Sequence, residues 1–181
     1  IVALNAPVGL GSFAQWDTRL EAKLAQAILS VQAIKGVEIG DAFENARLPG
    51  TQAHDAVTLD PSTLNLQRPT NRAGGIEGGI SNGEPIVIRA AMKPIASTLT
   101  PQKTVDLVTG EETATTYERS DFCPVPRAVP VLEAVVAIML ADALIAKLGG
   151  DSIAEMKPRF EALKEAKLSD IELDNRPHVF W

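Results

Sequence analysis

Apolar residues near the start of the chain predict one strand and one amphipathic helix. Residues 1–4 are all apolar, which is typical of a buried strand. Thr18 and Glu21 then have the spacing of a capping box at the start of a helix. This helix is predicted to end near Gly36, and its apolar face repeats at helical spacing through Leu20, Leu24, Ala27, Ile28 and Val31.

The middle of the chain reads as strands separated by turns. A polar segment at residues 60–73 carries two prolines, which predicts a mobile surface loop. Four strands are predicted, at residues 37–41, 85–91, 104–108 and 113–118. The last two flank the turn residues Thr109, Gly110 and Glu111, so we predict that they form a hairpin.

Residues 129–148 are apolar on nearly every face of a predicted helix. Their number is sufficient to cross a membrane, so this alternative has to be weighed. Glu133, Asp142 and Lys147 interrupt the segment, and Gly149–Gly150 is a helix stop. We therefore predict a helix packed between other elements rather than a membrane span.

The pattern as a whole predicts the α+β fold class. The expected architecture is half of a layered β-α-β sandwich, with an antiparallel sheet packed on long apolar helices. A chain of 181 residues with 45% hydrophobic residues is sufficient for a single core. We assign residues 1–165 to one domain. A second capping box at Ser152 and Glu155 starts its last helix, which Pro158 is expected to kink or restart, and residues 166–181 form a tail.

Composition and charge restrict the chemistry. One cysteine, Cys123, excludes an internal disulfide and indicates a reducing compartment, which predicts a cytoplasmic protein. Only His54 and His178 accompany it as soft ligands, so no metal site is predicted. The net charge of −6 argues against nucleic-acid binding. The apolar run begins at Ile1 with neither a methionine nor a basic leader, so we interpret it as a strand of a longer parent rather than a signal peptide.

The densest local pattern is a glycine loop that leads into a strand and then a lysine. Five glycines fall within ten residues, and the following strand ends at Lys93–Pro94; the glycines are Gly74, Gly75, Gly78, Gly79 and Gly83. Such a loop allows positive φ angles and close approach of a ligand, so it is a candidate anion or cofactor cradle, although glycine loops are more often simple tight turns.

Four segments of the chain, in order, resemble the chorismate synthase family. They are residues 7–12 (PVGLGS), 33–41 (AIKGVEIGD), 71–94 (NRAGGIEGGISNGEPIVIRAAMKP) and 119–130 (RSDFCPVPRAVP). The resemblance extends from residue 1 to about residue 160 and matches only the second half of the family's chain. It implies helices packed between two antiparallel sheets, a tetramer, and an absent amino-terminal half. A single half should then expose an apolar patch.

The resemblance also implies an activity and a set of site residues. The family converts 5-enolpyruvylshikimate 3-phosphate, a small phosphate substrate, to chorismate with reduced FMN as cofactor. Asp121 corresponds to an aspartate implicated in proton handling, and Ser120 replaces the histidine that is common beside it. The positions that correspond to flavin contacts are Gln32, Ala33, Gly78, Lys93, Pro94, Ile95, Ala96, Ser97 and Arg119.

Two other classes of function remain as alternatives. The chain can be a non-catalytic structural or oligomerisation half that contributes only part of the flavin site, because the family's amino-terminal histidines and arginines have no counterpart here. A generic phosphate-binding module is disfavoured, since neither common phosphate-loop pattern occurs. His54 is interpreted as a solvated histidine, and Glu133 and Asp142 are expected to pair with neighbouring backbone or arginine groups.

Overall fold

The computed structural model describes residues 1–63, 65–118 and 123–165. Within these residues the main elements are a three-stranded sheet and three long helices, and the other strands and helices are short. In chain order the elements are β1 (Val2–Ala3), α1 (Leu20–Ser30), β2 (Ile34–Ile39), α2 (Ala42–Asn45), α3 (Gly50–Ala53), β3 (Thr58–Leu59), β4 (Leu66–Gln67), β5 (Ile76–Glu77), β6 (Ile80–Ser81), β7 (Ile86–Met92), β8 (Lys103–Val105), β9 (Glu112–Ala114), α4 (Val125–Leu148) and α5 (Ile153–Glu165).

The central sheet is antiparallel and has the strand order β1-β7-β2. β7 is the middle strand, and its residues Ile86 and Ile88 are fully buried. It pairs with β1 through Val2 and Val87, and with β2 through Ile39 and Ile88. The predicted strands at residues 1–4 and 85–91 are confirmed, as is the predicted α+β organisation with an antiparallel sheet.

Helix α1 packs its apolar face against β2 and α4. Leu20, Leu24 and Ile28 lie four residues apart, so they share one face of the helix, and all three are fully buried. Burial of each such side chain is worth about 1.5–3 kcal/mol. The amphipathic helix predicted from this spacing is confirmed.

Both predicted ends of α1 are wrong. Thr18 does not cap the helix; its hydroxyl donates to Gln15 O at 2.9 Å, and Arg19 is the N-cap residue without a side-chain hydrogen bond. The N–H of Leu20 instead donates to Gly79 O at 2.9 Å, so a carbonyl from the glycine loop satisfies it. The helix ends at Ser30, before Gly36, because Val31 is already extended and Ile34 begins β2.

Helix α4 covers the core with one side only. Its buried residues Ala128, Leu132, Val136 and Ala143 face the core, while Val131, Ile138 and Ile145 are exposed on the other side. The predicted packing of this helix between other elements is therefore realised on one side only among the described residues. The predicted exposed apolar patch is confirmed.

By length and composition α4 is also able to cross a membrane, with a mean hydropathy of 2.2 over its most apolar window. One such helix is weak evidence for a span, because a core helix of a soluble protein has the same composition.

The remaining predictions were confirmed in part. β8 and β9 form the predicted hairpin, although the strands are shorter than expected. The predicted loop at residues 60–73 contains β4, which pairs with β3. Ser152 Oγ accepts a hydrogen bond from Glu155 N at 3.3 Å, as expected for a helix cap, and α5 continues through Pro158 without restarting. The predicted tail, residues 166–181, lies outside the described residues.

Candidate functional site

The segment 7–12 and the glycine loop meet around one buried hydroxyl. Ser81, which is 1% exposed, accepts a hydrogen bond from Leu10 N at 2.8 Å and donates one to Pro7 O. Its backbone adds two more links, because Gly9 N donates to Ser81 O and Ser81 N donates to Leu10 O. Two of the four family-like segments are therefore joined through Ser81.

Replacing Ser81 should destabilise the protein much more than replacing an exposed serine. Ser81→Ala leaves the N–H of Leu10 and the carbonyl of Pro7 without the hydroxyl, and we expect it to lower the free energy of unfolding by about 2 kcal/mol. Ser30→Ala is the matched control, since that exposed hydroxyl only donates to Ala27 O within the same helix turn. Urea denaturation of both variants tests this; equal effects would contradict it.

A second junction joins the segment 33–41 to the glycine loop. Gly40 and Gly74 both have positive φ, and their backbones cross so closely that a methyl group on either would overlap the other. Gly40 N donates to Val87 O at 2.9 Å, which ties the crossing to β7. The side chain of Asn71 links the two ends of the loop. Its Nδ2 donates to Pro85 O and its Oδ1 accepts from Gly75 N, each at 2.8 Å.

Most glycines of the loop are explained by internal packing. A methyl group on Gly75 would lie 2.6 Å from Pro85 O, and one on Gly79 would lie 2.5 Å from Ser12 O. Gly78 differs, because its φ is +60° and no atom lies within 4 Å of the position of such a methyl group. Within this loop, Gly78 is therefore the glycine whose backbone a ligand is free to approach.

Sequence reasoning missed the importance of Asp55 at the entry to this loop. Its carboxylate accepts hydrogen bonds from the hydroxyl of Thr70 and from the backbone N–H groups of Arg72 and Ala73, at 2.8 and 2.9 Å. Partial burial raises the pKa of Asp55, but hydrogen bonds from Thr70, Ala73 and Arg72, with the charge of Arg72, lower the pKa overall. The ionised form of Asp55 is thus favoured in the folded protein.

The lowered pKa of Asp55 predicts a loss of stability in acid. Its folded pKa lies below the reference value of 3.8, so the carboxylate contributes stability above pH 3.8, and this contribution is lost as the pH falls through the folded value. We expect the difference in free energy of unfolding between wild type and Asp55→Asn to be largest near neutral pH and to shrink below pH 3.8. Denaturant titrations across this range measure it, and a constant difference would contradict the prediction.

Two predicted flavin-binding segments lie side by side. Lys93 N donates to Ala33 O at 2.8 Å, just beyond the irregular end of the β2–β7 ladder. Ala33 has a φ of +69°, a conformation that non-glycine residues rarely adopt and that is enriched at functional sites. Gln32 and Lys93 are exposed, and Ser97 is half-buried. Their side chains offer amide, ammonium and hydroxyl donors at one end of the sheet.

An apolar cleft lies beside these two segments. It has a volume of about 390 Å³, and Ile34 and Met92, the sequence neighbours of Ala33 and Lys93, line it together with Val125 and Leu132 of α4. Another cleft, of about 450 Å³, lies between α1, β2 and α2, and no predicted site residue lines it. The first cleft is therefore the better candidate for a ligand that also contacts Lys93.

The structure separates Gly78 from Lys93. The glycine loop precedes the first residue of β7 and Lys93 follows the last, and the seven residues of a strand span about 20 Å. The predicted flavin contacts within the described residues therefore fall into two groups at opposite ends of one strand. Arg119 and Asp121 lie outside the described residues.

Three other candidate residues have simple surroundings. Asp142 forms an ion pair with Lys23 of α1 at 2.9 Å, so it is paired, but with a lysine rather than with the expected backbone or arginine groups. Glu133 is exposed and lies at the rim of the 390 Å³ cleft. His54 is exposed next to Asp55.

Arg89 of β7, a residue of the glycine-loop segment, forms an ion pair with Glu38 at 2.9 Å and thereby links β7 to β2.

Comparison with known proteins identifies the family. The family model for chorismate synthase matches residues 1–145. Over 163 residues the chain is 54% identical to the chorismate synthase of Trichlorobacter lovleyi, covering 87% of this chain and 42% of that protein. It is 56% identical to the chorismate synthase of Chlorobaculum tepidum over 162 residues, covering 90% of this chain and 41% of that protein.

A crystal structure of a chorismate synthase matches with a TM-score of 0.71 and 45% identity, covering 92% of this chain and 41% of that one. The fold and the assembled segments define the chain as an α+β domain of an enzyme family. That family is chorismate synthase, and the chain belongs to it. The chain spans about two-fifths of the length of the relatives that it matches.

Proposed function

We propose that the chain is the carboxy-terminal half of a chorismate synthase, a cytoplasmic enzyme of the shikimate pathway. The reaction is a 1,4-elimination that converts 5-enolpyruvylshikimate 3-phosphate to chorismate and phosphate. The observation that carries this proposal is the 54% identity to the Trichlorobacter lovleyi enzyme across 87% of this chain. The amino-terminal half is the required partner, and the complete protein is a homo-oligomer.

The residues near Lys93 fit a phosphorylated aromatic cofactor such as FMN. The Lys93 ammonium and the Ser97 hydroxyl are suited to phosphate and polar ring atoms, while the neighbouring cleft is apolar and suited to a flat ring. Gln32, Ala33, Pro94, Ile95 and Ala96 complete this group. Reduced FMN would supply electron density to the substrate when bound. The protein residues would hold and orient the cofactor and keep water away from it.

Arg119 and Asp121 have separate proposed roles. The Arg119 guanidinium holds an anionic or carbonyl group of the flavin, because its donors form a rigid fork. The Asp121 carboxylate accepts a proton next to the flavin and later returns it. Ser120 between them offers no imidazole, so proton transfer depends on Asp121.

A variant of Asp121 tests this function directly. The chain is joined to the preceding part of the Trichlorobacter lovleyi enzyme, and Asp121→Asn is introduced. We expect turnover to fall at least 10²-fold, the usual contribution of a general acid or base, while FMN affinity and thermal stability are kept. Ser120→Ala is the control, with turnover close to wild type. Unchanged turnover in Asp121→Asn would remove Asp121 from the mechanism.

The second candidate function is a structural half without catalytic residues of its own. The exposed apolar side of α4 favours it, because a surface of this kind is typical of an interface. In this case the chain supplies oligomer contacts and the glycine-loop scaffold, and the amino-terminal half carries the chemistry. The two candidates differ in the expected result for Asp121→Asn.

A further inference from the structure

Asp55 forms hydrogen bonds with the residues that follow a segment of the chain, residues 56–69. Residues 56–69, which include β3 and β4, connect Asp55 to Thr70, and Arg68 within this segment pairs with Glu77 of the glycine loop at 3.0 Å. Oδ1 of Asp55 accepts from the Thr70 hydroxyl and from Arg72 N, and Oδ2 accepts from Ala73 N. Both carboxylate oxygens are therefore committed to the backbone that enters the glycine loop.

The residues held by Asp55 connect directly to the crossing of the two glycines. Arg72 O accepts hydrogen bonds from Asp41 N at 2.8 Å and from the side-chain amide of Asn45 at 3.2 Å. The next residues, Ala73 and Gly74, pass over Gly40 without room for a side chain on Gly74. A displacement of the backbone at Arg72 and Ala73 is thus transmitted through the tightly packed Gly74 into the turn that follows.

That turn carries Gly78, the open glycine of the loop. Gly75 is fixed by Asn71 and Gly79 O by Leu20 N, so the position of Gly78 depends on both ends of a short hairpin. Asp55 holds the backbone of the incoming end, and the ion pair of Glu77 with Arg68 holds a side chain there. Since Gly78 has free space around its Cα, a change in its position alters what the loop presents to a ligand rather than how the core packs.

We propose that Asp55 is a positioning residue for the flavin site, acting through the glycine loop on the backbone around Gly78. This inference rests on the proposed function, because it takes Gly78 as a flavin contact. Asp55 touches neither cofactor nor substrate in this role. A carboxylate is required because both oxygens must accept; an asparagine of the same size would turn its NH₂ group toward an N–H donor.

A matched control exists within the same segment. Asp60 also accepts several hydrogen bonds, from Ser62 N at 2.8 Å, from the Ser62 hydroxyl at 2.7 Å and from the side chain of Gln67. These contacts stay within the β3–β4 hairpin and do not reach the glycine loop. Asp60→Asn therefore makes the same chemical change while keeping the hydrogen bonds of Asp55 to Arg72 and Ala73, and it also shows how much the Arg68–Glu77 ion pair of the same segment contributes.

Hydrogen exchange on the 181-residue chain tests the transmission. In Asp55→Asn we expect the amides of residues 72–79 to exchange at least about tenfold faster than in wild type, because local opening becomes easier. In Asp60→Asn the same amides should be unchanged. Unchanged exchange in Asp55→Asn would overturn the proposal, whatever the outcome for flavin.

Flavin affinity tests the functional consequence. In the protein joined to the preceding part of the Trichlorobacter lovleyi enzyme, the Kd for FMN is measured by fluorescence well below the melting temperature. We expect a Kd about tenfold higher for Asp55→Asn, as for a small misplacement of a binding group, and an unchanged Kd for Asp60→Asn. A lower melting temperature with an unchanged Kd means that Asp55 is only structural, which would overturn its positioning role.

The two possible failures are distinguishable. If the wild-type joined protein binds no FMN, the proposed function fails and the flavin role of Asp55 fails with it, even when the exchange result is positive. If the wild type binds FMN and Asp55→Asn binds it equally well, only the positioning role fails.

Discussion

We expect the 181-residue chain alone to yield no chorismate from 5-enolpyruvylshikimate 3-phosphate and chemically reduced FMN, and the chain combined with the preceding part of a relative to yield it. This result is expected because the chain covers only 42% of the Trichlorobacter lovleyi enzyme. The net charge of −6 also gives it no long-range attraction for a phosphorylated substrate or cofactor. We therefore expect much of the cationic lining of the site to come from the other half.

The assay follows chorismate absorbance under anaerobic conditions for three samples: the chain alone, the other half alone, and the two mixed or joined. Activity only in the combined sample supports a site formed between the halves. Activity of the chain alone would contradict the proposed division of the site. Activity of the other half alone would favour the structural alternative, in which that half carries the chemistry, and inactivity of every sample would contradict the proposed function.

Gly74→Ala abolishes stable folding, while Gly78→Ala in the same loop is tolerated. Both glycines have positive φ, of +64° and +60°, so alanine carries a similar conformational cost of about 1–2 kcal/mol at either position. Only at Gly74 does the new methyl group overlap backbone atoms of Gly40, which cannot move without breaking the Gly40–Val87 hydrogen bond. We expect a total loss above about 4 kcal/mol at Gly74, a large part of a typical stability.

Thermal denaturation and near-ultraviolet circular dichroism of the two variants measure this difference. The pair isolates steric overlap, because the loop and the sign of φ are the same in both. Similar melting temperatures for the two variants would show that the crossing of Gly40 and Gly74 is able to relax, and it would also weaken the transmission proposed for Asp55.

The elements of the fold were predictable where one local pattern dominates. The repeat Leu20, Leu24, Ile28 identifies α1, and the apolar run of β7 identifies the central strand. The ends of α1 were not predictable, because its first N–H is satisfied by Gly79 O, almost sixty residues further along the chain. A capping motif read from four neighbouring residues contains no information on such a distant acceptor.

The candidate site was predictable only in part for the same reason. The resemblance identified Ala33 and Lys93, and the structure adds that they are neighbours across the β2–β7 ladder. Asp55 carried no signal, since a single aspartate beside an exposed histidine resembles many surface residues. Its significance depends on Arg72 and Ala73, which approach it only in the folded chain.

The strand order β1-β7-β2 also determines when the sheet can form. β1 and β2 are synthesised first, yet in the sheet each is hydrogen-bonded to β7 rather than to the other. During translation both strands therefore emerge without their partner, and neither ladder closes until residues 86–92 have left the ribosome. Because β1 pairs across more than eighty residues, this closure carries a large loop entropy. The arrival of β7 is thus the event that allows the central sheet to form, before α4 covers the core.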